Sequence, residues 1–185
     1  PFDQLTGVLK IYIAPQGEAI PAVNATPSGN WVELGATDGE QSIEHSGENT
    51  YFRDNAHQGP VKGTRPEEDV ITHFTVVGLT LENYARILSA VSAVVTAGGP
   101  PATKKMPLKR GATLTEYAML LRGDTISPYG IFPGMYVIPR GVFDGQPQPT
   151  FAKDGRPSLE CDFYVLEDDS LADADRMGYL IAQTA

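Results

Sequence analysis

The most regular pattern of apolar and polar positions in this chain is the run VITHFTVV at residues 70–77. Side chains alternate between the two faces of a strand, so the run divides into two sets. One set is Val70, Thr72, Phe74 and Val76, and the other is Ile71, His73, Thr75 and Val77. Because both sets contain apolar residues, the pattern predicts a strand that is partly covered on both faces.

A capped helix is predicted to follow this strand directly. Gly78 breaks the strand, and the hydroxyl of Thr80 is suited to cap the first turn of a helix. An apolar stripe at helical spacing then contains Leu81, Tyr84, Ala85, Leu88 and Val95. The Gly-Gly-Pro-Pro run at 98–101 predicts that the helix ends near Ala97.

Six further strands are expected from short apolar or alternating runs bounded by Gly, Pro, Asn and Asp. The complete expected set is 7–14, 31–34, 41–45, 70–77, 113–122, 135–140 and 158–166. Seven strands and one helix in 185 residues favour a single mainly β domain, either a β-sandwich or a curved open barrel. One side of the strand at 113–122 carries Glu116, and we expect that side to face solvent or a lumen.

The segment at residues 46–66 has no strand or helix pattern. Its sequence, SGENTYFRDNAHQGPVKGTRP, contains short apolar patches between turn-forming residues. So long a loop is unusual in a compact monomer, so it is either disordered or docked on another surface. Tyr51, Phe52 and Arg53 belong to the residue types enriched at interface hot spots, and Lys62 and Arg65 are further candidate contacts. The plainer interpretation is a mobile loop whose aromatic side chains fold back on the parent domain.

The charge balance argues against a protein that holds nucleic acid through its phosphates. The formal net charge is −9, whereas phosphate binding needs clustered Lys and Arg. An acidic wall would instead repel DNA, which suits a conduit through which a duplex slides.

The composition is typical of a globular protein assembled in the cytoplasm. Apolar residues make up 41% and charged residues 20% of the chain, and no run approaches the ~18 apolar residues of a membrane span. The first residues, PFDQLTG, lack the basic and apolar regions of a signal peptide.

No residue pattern predicts catalysis, a metal site or a cofactor. His45, His57 and His73 lack a metal-binding spacing, and His73 is most simply a structural or surface residue of its strand. Cys161, the single cysteine, excludes an internal disulfide and lies on a strand face expected to be buried, which favours a core role over a nucleophile. The stretch at 98–105 lacks the glycine and hydroxyl residue that a phosphate loop requires. We therefore expect no enzyme activity.

Two charged clusters of opposite sign occur in the second half of the chain. The basic cluster contains Lys104, Lys105, Lys109 and Arg110, and the acidic one contains Glu167, Asp168, Asp169, Asp173 and Asp175. The acidic cluster lacks the glycine and the regular oxygen spacing of a calcium loop. Both are most simply solvated surface, and the alternative is that Asp168 and Asp169 pair with the basic cluster of a neighbouring subunit.

The order of these features resembles the tail tube proteins of long-tailed bacteriophages. The resemblance spans nearly the whole chain, and it is carried by three runs: VLKIYI, RPEEDVITHFTVVGLTLENYA and DGRPSLECDFYVLED. It implies a hexameric ring whose inner sheets join into a continuous β-barrel, with rings stacked into a tube for the phage genome. It also implies that the loop at 46–66 becomes ordered against a neighbouring ring.

The resemblance implies a set of partners and a location as well. The protein would assemble with itself, meet tail terminator, tape measure and tail tip proteins, and contact viral DNA only in transit. It would bind no membrane and would reside in the tail of the virion. Glu44 and Glu116 are the candidate residues for a negatively charged lumen.

Two alternatives stay open at this stage. One is the tube subunit of a type VI secretion or pyocin-like machine, and the other is a β-sandwich binding module such as an adhesin. The lack of a signal sequence and of disulfides disfavours an adhesin, and the long loop favours a long flexible tail over a compact secretion tube.

Overall fold

All seven expected strands form, and they build one antiparallel sheet. The computed structural model describes residues 7–90, 93–144, 146–151 and 156–184. The strands are β1 (Lys10–Pro15), β2 (Val32–Glu33), β3 (Ala36–Ser46), β4 (Thr50–Phe52), β5 (Lys62–Thr64), β6 (Asp69–Val77), β7 (Val95–Ala97), β8 (Thr103–Lys105), β9 (Tyr117–Gly123), β10 (Gly134–Phe143), β11 (Gln148–Thr150), β12 (Ser158–Val165) and β13 (Tyr179–Ala182). Helix α1 covers Leu81–Ile87, and a 3₁₀ turn covers Asp173–Asp175. The expected class, mainly β with one α-helix, is confirmed for the described residues.

The main sheet turns sharply along β10. Its strand order is β2-β1-β9-β10-β12-β6-β3, with β11 and β13 paired onto β12 and β10. The first part of β10 pairs with β9 and β13, and its end pairs with β12 after a register shift between Ile138 and Gly141. A side chain at Gly141 would collide with the Phe163 ring, so only glycine lets the two strands approach here. Over the described residues the sheet curls but does not close into a barrel.

The main core lies inside this curl and joins both halves of the sheet. Its buried members include Ile11, Ile13, Phe74, Val76, Met119, Leu121, Phe143, Leu159, Cys161 and Phe163. The Phe143 ring meets the rings of Tyr117 and Phe163 edge to face, with centroids 5.9 and 5.1 Å apart. Cys161 is only 4% exposed, so its predicted role as a core residue is confirmed.

A second, smaller core covers the opposite face of β1, β9 and β10. Its buried members are Tyr12, Ala14, Trp31, Ala118, Leu120, Met135 and Val137. The Trp31 indole also donates a hydrogen bond to the Ala19 carbonyl at 3.0 Å, which fixes the covering segment. The expectation that the Glu116 side of this strand faces solvent or a lumen is therefore wrong for most of β9, because Ala118 and Leu120 are buried on that side.

Helix α1 is capped as predicted but is much shorter. The backbone amide of Asn83 donates to the Thr80 hydroxyl at 3.2 Å, which confirms the N-cap. The helix ends at Ile87, and Ser89 adopts a positive φ of 51°. The predicted continuation to Ala97 is wrong, since Val95–Ala97 forms β7 and pairs with β8. Residues 91 and 92 lie outside the described residues.

Helix α1 does not continue to Ala97 because several of the residues after it disfavour a helix, which the spacing of apolar residues does not show. Val94, Val95 and Thr96 are β-branched and favour a strand over a helix. The buried positions of α1 also include Ile87 and Asn83, whereas Leu81 at the start of the expected stripe is 40% exposed. The predicted apolar stripe at residues 81–95 therefore combined residues of two separate elements, α1 and β7.

Candidate assembly surfaces

Residues 46–66, which we call the first arm, form a β-hairpin outside the main sheet. The expectation that this segment lacks regular structure is wrong, because Thr50, Tyr51 and Phe52 of β4 pair with residues 62–64 of β5. Both strands are exposed along their whole length. Tyr51 is 61% exposed and Phe52 is 50% exposed, so these aromatic rings do not fold back into either core.

The tip of the first arm is organised by its own hydrogen bonds. The Asp54 carboxylate accepts from the backbone amides of Ala56 and His57, and it also lies 2.8 Å from the His57 ring. The Val61 amide donates to the Phe52 carbonyl at 2.8 Å and closes the turn. These bonds fix the shape of the tip, where Arg53 and Lys62 give two positive charges against the one carboxylate of Asp54.

The predicted contact residues of the first arm divide into two groups. Arg65 lies at the base, where its Nε donates to Asn49 Oδ1 at 3.2 Å and its Nη1 lies 3.9 Å from Glu68. Arg65 therefore braces the two strands of its own arm. Arg53 makes one long hydrogen bond to the Gln58 carbonyl, at 3.5 Å, and Lys62 is exposed. Tyr51, Phe52, Arg53 and Lys62 thus remain accessible to another molecule.

A second exposed hairpin, β7–β8, which we call the second arm, carries Lys104 and Lys105 of the basic cluster, and Lys109 and Arg110 follow it. Lys104 pairs with Glu82 of α1 at 2.6 Å, and Lys105 and Lys109 are exposed. Arg110 donates to the Leu88 carbonyl at 2.9 Å and supports the end of α1. The cluster is therefore partly committed to contacts within its own chain.

The predicted acidic partners of this cluster are also engaged within the chain. The Asp168 carboxylate accepts from the Ser170 hydroxyl and amide, and these hydrogen bonds lower the pKa of Asp168. Asp169 lies 3.4 Å from Arg176. No described ion pair joins Asp168 or Asp169 to Lys104, Lys105, Lys109 or Arg110, so pairing of the two clusters between subunits stays a prediction.

The exposed side of β3, β6 and β12, which we call the acidic face, collects several carboxylates. Residues opposite one another in an antiparallel sheet share a face. The register places Asp162 opposite His73, Glu160 opposite Thr75 and Tyr164 opposite Ile71. Glu44 lies opposite Ile71 from the other side, so it belongs to the same face.

His73 lies between two of these carboxylates. Its Nδ1 is 2.7 Å from Asp162 Oδ1, and its Nε2 is 3.1 Å from Glu44 Oε2. The hydrogen bond to Asp162 is the main cause that raises the pKa of His73, with Glu44 adding to it and partial burial opposing it. Only the protonated ring donates to both carboxylates at once. The prediction that His73 is a structural or surface residue is confirmed.

The two candidate lumen residues differ in their free charge. Arg140 donates two hydrogen bonds of 2.9 Å to the Glu116 carboxylate, from Nε and Nη2. These hydrogen bonds lower the pKa of Glu116, and the guanidinium neutralises its charge. Glu44 faces only His73 and belongs to a group with a net negative charge. Sequence reasoning missed Glu160 and Asp162, although their alternation with Leu159 and Cys161 was a sufficient signal.

In comparisons with known proteins, no family model and no curated protein matches this chain. Among residues 7–90, 93–144, 146–151 and 156–184, no His, Cys, Asp and Glu side chains form a group of three that would hold a metal ion. No α-helix in the described part of the chain has the length and apolar character that a bilayer crossing needs.

Proposed function

We propose that this chain is the structural subunit of a bacteriophage tail tube, in which hexameric rings stack into a hollow conduit for viral DNA. The observation that carries this proposal is the first arm. Its paired strands present Tyr51 and Phe52 to solvent, away from both cores. An exposed aromatic pair on a hairpin is typical of a contact site between subunits.

The edges of the main sheet support ring formation. Among the described strands, β3 pairs only with β6, and β2 pairs only with β1. β3 is 11 residues long, so it leaves a long row of backbone groups along one edge. Pairing of such edges between neighbours in a closed ring would satisfy these groups and prevent uncontrolled association.

The acidic face supports a role as the wall of a DNA conduit. Glu44, Glu160 and Asp162 place negative charge on one broad sheet surface, and DNA carries dense negative charge. A wall of this kind repels phosphates, so a duplex passes without sticking. In this role the chain performs no reaction and needs no cofactor. Its partners are further copies of itself, the tail terminator, tape measure and tail tip proteins, and viral DNA in transit.

Negative-stain electron microscopy of the purified protein tests the proposal directly. We expect rings or hollow tubes with sixfold symmetry. Monomers that never assemble, over a wide range of protein and salt concentrations, would contradict it. Monomers that instead bind a receptor would favour a binding module of the adhesin class.

A further inference from the structure

A cleft opens at the base of the first arm, and we call it the root cleft. It has a volume of about 490 Å³, within the range of about 300–1,000 Å³ that binding pockets occupy. Its apolar lining includes Ile43, Val70, Tyr136, Ile138, Met177 and Leu180. The cleft therefore lies between the start of β6 on one side and the C-terminal segment with β13 on the other.

The rim of the root cleft is acidic. Glu68 and Asp173 line it, and both have only long ion pairs within the chain, at 3.9 Å to Arg65 and 3.7 Å to Arg176. Their side chains are largely exposed, so their negative charge remains available to a ligand. An apolar floor with an acidic rim fits a ligand that combines an aromatic group with a cation.

The tip of the first arm has this composition. Phe52 and Tyr51 supply aromatic rings, while Arg53 and Lys62 supply positive charge beside them. These two cations outnumber the single Asp54 carboxylate of the tip, so the formal charge of the tip is net positive. Arm tip and root cleft are thus complementary in charge and in their apolar character.

We propose that the root cleft receives the tip of the first arm of a second copy of this chain; this rests on the proposed function. The arm of the same copy does not occupy it, because the braced strands place Tyr51 and Phe52 in solvent. Phe52 lies six residues beyond Ser46, a reach of about 20 Å at the usual rise of a strand.

The arrangement has a consequence for assembly. Arm and cleft lie side by side on each copy, since His45 and Glu68 line the cleft and also flank the arm. A contact from the tip of one copy to the root of the next can repeat head to tail from copy to copy, as stacked rings require, whereas a reciprocal exchange of arms would close a two-fold dimer. Such a contact holds successive rings at a spacing set by the reach of the arm.

Site-specific cross-linking tests this contact. Ala56→Cys places a thiol at the exposed tip and keeps both aromatic residues of the arm, and Ala174→Cys places a thiol on the cleft. Ser42→Cys, on the acidic face, is the matched control for a small exposed residue. Native Cys161 is buried, and burial raises its pKa to about 12, so it stays unreactive.

The arm variant and the cleft variant are purified separately, and one of them carries a size tag. They are then mixed, allowed to assemble and treated with a short bismaleimide. We expect a tagged–untagged product from Ala56→Cys with Ala174→Cys at least tenfold above that from Ala56→Cys with Ser42→Cys. Adding Phe52→Ala to the arm variant should reduce this yield severalfold.

Four results overturn the inference. A yield equal to that of the control shows that the tip docks elsewhere. A purely intramolecular cross-link in the Ala56→Cys, Ala174→Cys double variant shows that the arm folds onto its own cleft. Rings or tubes that form without the cross-link refute the arm-to-root contact while leaving the proposed function in place, whereas failure of all variants and of the native protein to assemble refutes both.

Discussion

The residue that couples the three strands of the acidic face is His73. It lies on β6 and contacts Asp162 of β12 on one side and Glu44 of β3 on the other. A protonated ring there links three strands through side chains, in addition to their backbone bonds. The role of His73 therefore depends on pH, and it belongs to the proposed lumen wall.

Replacing His73 by Gln should lower the free energy of unfolding more at acidic pH than at basic pH. The folded-state pKa of His73 lies above its ordinary value of 6.5, so the stabilisation is complete below pH 6.5 and is lost as the pH rises through the folded-state pKa. Both carboxylates are about half exposed, so we expect a difference of only a few tenths of a kcal/mol.

Urea unfolding of the native protein and of the His73→Gln variant at pH 5.5 and pH 8.5 measures this difference. Thr75→Gln, on the same face of the same strand, is the control without a titrating group. If the gap between native protein and His73→Gln is the same at both pH values, the ring does not bind its carboxylates as a cation.

Alternation along a strand identified single buried residues well, but it did not reveal partners from distant parts of the chain. Cys161 could be assigned to the core from its neighbours Leu159 and Phe163 alone. By contrast, the pairing of Glu116 with Arg140 joins residues 24 positions apart, across a bulge that no local pattern marks. The same limit applies to Arg65, whose role as a brace depends on Asn49 in the opposite strand of the arm.

At the scale of elements, helix α1 is held to the sheet by a buried side chain. Asn83 donates to the Leu34 carbonyl at 2.8 Å and to the Glu33 carbonyl at 3.3 Å, and its own carbonyl accepts from Arg86. These carbonyls lie at the corner between β2 and β3, the two edges of the main sheet. A short helix of two turns thus fixes the corner at which a neighbouring subunit would join.

Replacing Asn83 by Ala should therefore destabilise the fold. The change leaves the Leu34 carbonyl without its side-chain donor in a buried position, which costs about 1–3 kcal/mol. Denaturant unfolding followed by circular dichroism measures the loss. Glu82→Ala, on the exposed side of the same helix, is the control and should leave the midpoint nearly unchanged; equal effects of both variants would show that Asn83 is not a structural anchor.

The aromatic residues of the first arm should be needed for assembly but not for folding of the monomer. Tyr51→Ala with Phe52→Ala removes aromatic rings that contact neither core, so the thermal unfolding of the monomer should stay within about 0.5 kcal/mol of the native protein. The same variant should form short tubes or none, because it removes the main apolar contact of the arm. Tyr164→Ala, which removes an exposed ring from the acidic face, is the control and should assemble normally.

Two results would contradict this separation of roles. Normal polymerisation of the arm variant would show that Tyr51 and Phe52 are not interface residues. A large loss of monomer stability would show that the arm is a structural part of the domain.

Element types followed from sequence patterns for most strands with a buried side, but β13 was missed although its Tyr179 and Ile181 pack on the second core. The strands with few or no buried residues, β4, β5, β7, β8 and β11, were missed because alternation carries no signal when both faces meet solvent. The first arm was noticed only through its length and its aromatic residues. Strands with two exposed faces are therefore the hardest parts of such a chain to predict from alternation.

At the scale of the whole molecule, the curled sheet separates three kinds of surface. Its inner side and part of its outer side are covered by the two cores. The rest of the outer side is the acidic face, and the arms extend from the ends of β3 and from the region after α1. In the proposed tube, the acidic face would line the lumen and the arms and sheet edges would contact neighbouring subunits.

Reversing the charge of the acidic face should create DNA binding. In assembled tubes, Glu44→Lys with Glu160→Lys should retain linear duplex DNA in a salt-dependent way, whereas the native tube retains none. Glu18→Lys with Glu167→Lys gives the same change in net charge outside the residues that define this face, and it is the control. Retention by the control alone, or by both variants equally, would show that the acidic face does not line the lumen.

Cryo-electron microscopy of the assembled protein is the measurement that tests the central claim most directly. The account predicts stacked rings of six subunits around a hollow channel, with Glu44, Glu160 and Asp162 facing the channel and the first arm of each subunit reaching the next ring. A monomer at all concentrations, or a ring whose channel is lined by Lys and Arg with the acidic face on the outside, would contradict it.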